Sequence, residues 1–266
     1  MPAPQFILNY SGTKYNESKQ LDVLNVDYSQ YDTILEPFGG SFGFSRHLYY
    51  KLGHTHLQFK IYDSNEKLID FYNHLKKLII EDTHETFFEE YRREVKKLHE
   101  ACPYKRDALN TKKLIQYMKT YEHNDVFIKW LFTHNHYSGK CSMYKNAAYK
   151  KNAGFTEIFK QCEFICVKCE DIPHEILYNE KTLIYLDPPY IVTDNSTYDT
   201  QFNLNDVFEI IEQLLTTANC ILVHQYNFLL CRAFRDVDQH VYKKIYGSSK
   251  RVDHVVFYNG LAVSNE

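Results

Sequence analysis

Asp187-Pro188-Pro189-Tyr190 is the run of this chain best suited to chemistry. An exocyclic amino group on a nucleobase is planar and a poor nucleophile, because its lone pair is delocalised into the ring. A carboxylate and a fixed carbonyl, each accepting one of its hydrogens, favour a pyramidal nitrogen whose lone pair is free for in-line attack. Asp187 supplies the first acceptor and the carbonyl of Pro188 the second, held in place because paired prolines fix φ. Tyr190 can stack on the base, which must leave the duplex for such an atom to be reached. The apolar stretch Thr182 to Leu186 reads as a strand, so Asp187 falls at its carboxyl end, where open parallel sheets bind ligands.

A second constellation lies near the start. Thr33 to Leu35 reads as a short strand running into Glu36-Pro37-Phe38-Gly39-Gly40-Ser41-Phe42-Gly43, followed by a helix over Phe44–Leu52 and a strand from Leu57 to Tyr62. Asp63 closes that strand, twenty residues past Gly43, where a carboxylate can hold the hydroxyls of a ribose. Strand, glycine turn, helix, strand, acid is the order of a nucleotide-type βαβ unit. No Walker lysine-serine pair follows the glycines, which speaks against nucleoside triphosphate hydrolysis.

Other elements must position these two groups. Ser18 to Leu24 can begin a helix. From Glu66 to about Lys160 the pattern is mostly helical, with Phe87, Phe88, Tyr91, Val95 and Leu98 at helical spacing. Between Thr133 and Gly154 it lapses into a polar Tyr/Lys/Asn-rich stretch read as a loop or small hairpin. Glu163 to Lys168 reads as a strand and Ile191 to Gln201 as a polar loop. Asn203 or Asn205 can cap a helix carrying Leu204, Val207, Phe208, Ile211, Leu214 and Leu215 on one face. Cys220–His224 and Val252–Tyr258 read as the closing strands. There is no internal repeat.

The net charge of −3 speaks against a generic nucleic-acid binder, but its distribution is uneven. Arg92 to Lys160 holds 15 Lys and Arg against 6 Asp and Glu, a net of +9, leaving −12 for the rest. A basic block of this kind suits either a solvated helix face or phosphate contacts on one face. The 23 Tyr and 18 Phe fit either a tyrosine-rich core or stacking surfaces. Seven cysteines, an odd number without a paired framework in a chain with no export signal or long apolar run, point to reduced thiols inside a cell. Cys141, Cys162, Cys166 and Cys169 lack the spacing of zinc knuckles, and His134 and His136 read as loop side chains, so no metal is expected.

These motifs together resemble the amino-methyltransferases of the DNA adenine methyltransferase family, over nearly the whole chain. Asn9-Tyr10-Ser11-Gly12-Thr13-Lys14 looks like the family's amino-terminal cofactor segment, Glu36 to Ser41 is similar to its EPFxG cofactor loop, and Tyr62-Asp63-Ser64-Asn65 to its ribose-holding strand end. Asp171-Ile172 matches the acidic-hydrophobic pair at the cofactor's adenine, and Asp187 to Tyr190 matches the catalytic tetrad. The order is that of the family's α arrangement. Ile221–Asn227 looks like the strand and loop after the tetrad helix, and Lys250–Asn259 like the closing basic turn and strand. Phe42 departs from the pattern, standing where many members have a second glycine. Thr133 to Met143 resembles the Asn-rich recognition loop only at Tyr137 and Gly139.

The resemblance implies an α/β, doubly wound, mostly parallel sheet of the S-adenosylmethionine-dependent methyltransferase type with a mainly helical target-recognition insertion. Residues 1–65 and 161–266 form the catalytic domain and 66–160 the insertion. S-adenosylmethionine is the expected cofactor, lined by Tyr10, Lys14, Glu36, Phe38, Gly39, Gly40, Ser41, Asp63, Asp171 and Ile172, with Asp187 at its edge. Asp187, Pro188, Pro189 and Tyr190 are the expected catalytic group. Tyr137, Lys140, Lys145 and Arg251 are expected on DNA. Double-stranded DNA is the expected partner, with a cognate restriction endonuclease as a further candidate, no membrane association, and a cytoplasmic (nuclear or host-cytoplasmic) location. The rival readings are methylation of another amino group, cytosine N4 or an RNA adenine, and a catalytically silent DNA-binding module.

Overall fold

A computed structural model describes residues 15–53, 56–101, 116, 120–137, 153–189, 204–246 and 250–263. Helix α1 (Tyr15–Ser18) and a 3-10 run to Leu24 precede strand β1 (Thr33–Glu36). Helix α2 (Gly43–Leu52) then returns the chain to β2 (Gln58–Asp63), parallel to β1 with Thr33 opposite Gln58. Helices α3 (Glu66–Ile80), α4 (His84–Ala101), α5 (Val126–Tyr137) and α6 (Ala153–Gln161) follow. The chain then lays β3 (Cys162–Cys166) beside β2, passes through α7 (His174–Leu177), and lays β4 (Thr182–Leu186) on the other side of β1. After α8 (Leu204–Thr217), β5 (Cys220–Gln225) pairs parallel with β4; α9 (Phe228–Ala233) leads to the antiparallel hairpin of β6 (Asp238–Tyr246) and β7 (Lys250–Asn259). β7 pairs antiparallel with β5, so the sheet order is β3-β2-β1-β4-β5-β7-β6.

Two features of this order matter for function. The carboxyl ends of the five parallel strands share one edge, and successive connections diverge between β1 and β4, which opens a crevice there. β4 is buried at every position because both faces of the sheet are covered, and its continuous apolar run follows from that. On one face Leu35, Ile184, Leu186, Leu222, Val255 and Phe257 pack with Val207, Ile211, Leu214 and Leu215 of α8. Each such fully buried side chain contributes about 1.5–3 kcal/mol. The alternate residue Tyr185 faces the other way and stacks on Phe44 of α2, with ring centroids 4.3 Å apart.

The chain divides into two compact units, one built on Thr13–Asp70 with Gln161–Glu266 and one containing Phe71–Lys160; the division falls inside α3. In the second unit the aromatic residues go inward: Phe71 meets Trp130 at 4.9 Å, Tyr72 meets Phe159 at 5.9 Å, and Phe87 packs edge-on to Phe88. Buried Glu94 accepts hydrogen bonds from Lys97 (2.7 Å) and Tyr121 (3.3 Å), linking α4 to the approach to α5. Much of the tyrosine and phenylalanine excess is therefore core.

Three elements differ from the sequence reading. Thr133–Tyr137 completes α5 and Ala153 and Gly154 open α6, instead of belonging to a loop; residues 138–152 between them lie outside the described residues, as does the expected loop at 191–201. Strand β6 has no counterpart in the reading, because an edge strand need not be apolar: Asp238, Gln239 and Lys243 are exposed while Tyr242 is buried. The expected helix over Ser18–Leu24 is α1 followed by a 3-10 run.

Candidate active site

The turn after β1 is built by contacts that only its residue types permit. Gly39 lies against β2: its N–H donates to the carbonyl of Tyr62 at 2.7 Å, and a Cβ there would sit 2.5 Å from Ile61 Cγ2. Gly40 takes φ +45°, and its N–H donates to Asp63 Oδ2 at 2.9 Å. Phe42, at the position of the missing second glycine, adopts the same left-handed region with φ 38° and ψ 52°. That conformation costs a non-glycine residue about 1–2 kcal/mol. Full burial of the ring, edge-on to Phe164 at 5.6 Å, offsets it. Phe42 thus occupies a backbone conformation that glycine adopts without strain.

Phe42 is the N-cap of α2 and makes no side-chain cap. Glu36 takes over that role from the end of β1: its Oε1 accepts the N–H of Ser45 at 2.7 Å. Glu36 as a whole is 2% exposed. Burial pushes its pKa up to about 7, the hydrogen bond from the Ser45 N–H and the charge of Arg46 oppose the rise, and the charge of Asp187 adds to it. The acid that ends β1 thus feels the charge of the acid that follows β4, where the strand order diverges. Asp187 is half-buried, and Pro188 and Pro189 are buried. Two residues before Asp187, Tyr185 is 1% exposed, and among the described residues its hydroxyl finds no hydrogen-bond partner. Burial first and Asp187 second hold that phenol well above its usual range.

Asp63 at the end of β2 has one carboxylate oxygen on the N–H of Gly40 and the other on that of Asn65, both at 2.9 Å. Burial raises its pKa and those two hydrogen bonds oppose the rise. Asn65 in turn caps α3 by accepting from Leu68 at 3.2 Å. Beyond β3, Asp171 is exposed on a 3-10 turn and the adjacent Ile172 is 2% exposed within the core. Phe38 is half-buried against that core and Ser41 is buried. The strand ends thus bring Glu36, the glycine turn, Asp63 and Asp187 to one edge. Tyr10, Lys14, Tyr190, Lys140 and Lys145 lie outside the described residues. Tyr137 closes α5, and Arg251 stands in β7 opposite Ile245.

Sequence reasoning missed a buried ionic group on this same unit. Glu17 of α1, 6% exposed, accepts hydrogen bonds from Tyr242 at 3.0 Å and from Lys244 Nζ, and His254 Nδ1 lies 3.1 Å away. The three partners sit on the β6–β7 hairpin, more than two hundred positions along the chain. A lone Glu after a turn carries no sequence signal of such a role.

Among the described residues, five parallel strands closed by an antiparallel hairpin, with Asp187 after β4 and a glycine turn after β1, make an α/β fold of the methyltransferase type. The model of one family, the D12 class N6 adenine-specific DNA methyltransferases, matches residues 10–252. The chain belongs to that family, and its activity is transfer of a methyl group to adenine N6 in DNA, on a base flipped out of the duplex. No individually curated protein matches the chain. Among the described residues no helix is long and apolar enough to cross a membrane.

Proposed function

We propose that Asp187 and Pro188 activate the adenine amino group and that S-adenosylmethionine is the methyl donor. The observation that carries this reading is Asp187, at the carboxyl end of β4, electrostatically coupled to the buried Glu36 that ends β1. The donor set fits the cofactor. Each oxygen of Asp63 holds one backbone N–H and keeps a lone pair for a ribose hydroxyl, and Glu36 is an acidic partner for an ammonium group. When bound, the cofactor supplies a methyl group made electrophilic by a positively charged sulfur.

The chain's own residues do the rest. Asp187 and the Pro188 carbonyl accept the two N6 hydrogens and leave the nitrogen lone pair free for in-line attack. The nitrogen would form the new C–N bond as the donor's sulfur–methyl bond breaks with its electron pair left on sulfur, and it gives up one proton, for which the Asp187 carboxylate is the adjacent acceptor. Tyr190 stacks on the extruded adenine. Tyr10 and Lys14, with Phe38, Gly39, Gly40, Ser41, Asp171 and Ile172, complete the cofactor site. The unit containing Phe71–Lys160, with the +9 charge of Arg92 to Lys160, serves target recognition through Tyr137, Lys140 and Lys145, and Arg251 adds a phosphate contact. Such an enzyme works where DNA and reduced thiols coexist, the cytoplasm or nucleus, and its product would resist a cognate restriction endonuclease.

The test uses the full chain, duplex DNA and tritiated S-adenosylmethionine, with the product digested to nucleosides. Asp187→Ala abolishes transfer to adenine and leaves cofactor affinity within about threefold; undiminished transfer overturns the mechanism.

A further inference from the structure

The end of β5 carries a feature that methyl transfer does not account for. β5 pairs with β4 so that Leu186 stands opposite Leu222, which puts Asp187 level with Val223. Tyr226 lies three residues further on, about 10 Å beyond that level at 3.3 Å per residue. From there the chain presents Tyr226, Phe228 and Leu229 to solvent at 43%, 63% and 73% exposure.

This tip is held rigidly. The N–H of Tyr226 donates to the carbonyl of Asp253 at 2.9 Å. The Asn227 side chain caps α9 by accepting from Leu229 at 2.9 Å and Leu230 at 3.3 Å, and Leu230 anchors the turn in the core at 5% exposure. One helical turn after Phe228 stands Arg232, also exposed. Apolar side chains fixed in water beside a cation suit a surface that is itself part apolar and part anionic.

The occupant follows from the position. Target adenine must reach Asp187 from outside the stack, so the duplex lies across the carboxyl edge of the sheet, where a tip projecting about 10 Å past Asp187 meets it. We propose that Tyr226, Phe228 and Leu229 form a rigid apolar wedge that packs on the base faces exposed when the target adenine leaves the stack, with Arg232 on an adjacent phosphate. This rests on methylation of an extruded adenine.

The experiment compares the full chain with its Phe228→Ser/Leu229→Ser variant on two duplexes, one fully paired and one with an abasic site opposite the target adenine. Since the wedge acts only on unstacking, kcat/KM on the paired duplex falls about tenfold or more, while the abasic duplex is methylated within about twofold of the unaltered chain. The fluorescence rise of 2-aminopurine at the target position shrinks, and cofactor affinity and Tm stay unchanged. Equal losses on both duplexes, or no loss on either, overturn the wedge; so does a change confined to sedimentation mass, which marks a protein contact. If the unaltered chain methylates neither duplex, it is the underlying activity that fails.

Discussion

Replacing Gly39 with alanine isolates the contact that sets the glycine turn. The added Cβ would lie 2.5 Å from Ile61 Cγ2 and 3.0 Å from the Tyr62 carbonyl oxygen. Carbon atoms prefer about 3.5–4.0 Å, so the overlap on Ile61 is about 1 Å. Neither neighbour yields easily. Ile61 is fully buried on a strand paired on both sides, and its branched side chain is stiff at χ1. The Tyr62 oxygen is backbone and accepts the Gly39 N–H at 2.7 Å. If the turn retreats, that bond and the Gly40–Asp63 bond stretch. Overpacking of about 1–3 kcal/mol and about 1 kcal/mol for a weakened hydrogen bond give an expected destabilisation of roughly 2–4 kcal/mol. At about 2–4 °C per kcal/mol, Tm falls by roughly 5–15 °C. Cofactor affinity falls about tenfold as the turn moves. Thermal unfolding and calorimetric titration with S-adenosylmethionine read the two effects. Ile61→Leu, which removes Cγ2, should recover about 1 kcal/mol of the loss in a double-mutant cycle. A Gly39→Ala protein within about 0.5 kcal/mol of the parent, or a cycle without coupling, refutes the reasoning.

Three further outcomes follow from the same geometry. Because the pKa of Glu36 is raised from 4.5 to about 7 in the folded protein, the native state holds the extra proton, so stability falls as pH rises through that window. Glu36→Gln removes this slope, worth about 3 kcal/mol at most between pH 4.5 and 7; unfolding midpoints that keep the parent's pH dependence would refute the assignment. Asp63→Ala frees the N–H groups of Gly40 and Asn65 and weakens cofactor binding about tenfold or more, and unchanged affinity by calorimetry removes Asp63 from the ribose role. Glu17→Ala strands Lys244 beside Tyr242 and His254 and costs about 3 kcal/mol, whereas Glu17→Met with Lys244→Met recovers most of it; equal losses in denaturant titrations contradict the ionic account.

The sequence by itself determined the elements whose signals are local. Thr182 to Leu186 is a strand because a centrally buried strand must be apolar at every position, and two prolines can only end it. Glu36 to Gly43 is a turn into a helix because its glycines permit a backbone conformation that few residues adopt, and Asp63 follows at the interval a βαβ crossover imposes. What the tertiary structure decided is what depends on neighbours distant in sequence. That Glu36 caps α2 and feels Asp187, that Asp63 fastens Gly40, and that Phe42 is compatible with a left-handed backbone are consequences of strand order, which residue types do not encode locally. β6 was invisible because an edge strand pairs through its backbone and leaves its side chains free to be polar. The Glu17 group and the apolar tip after β5 were hidden for the same physical reason: burial and exposure belong to the assembled fold, and the same Glu or Phe is ordinary until its neighbours are known.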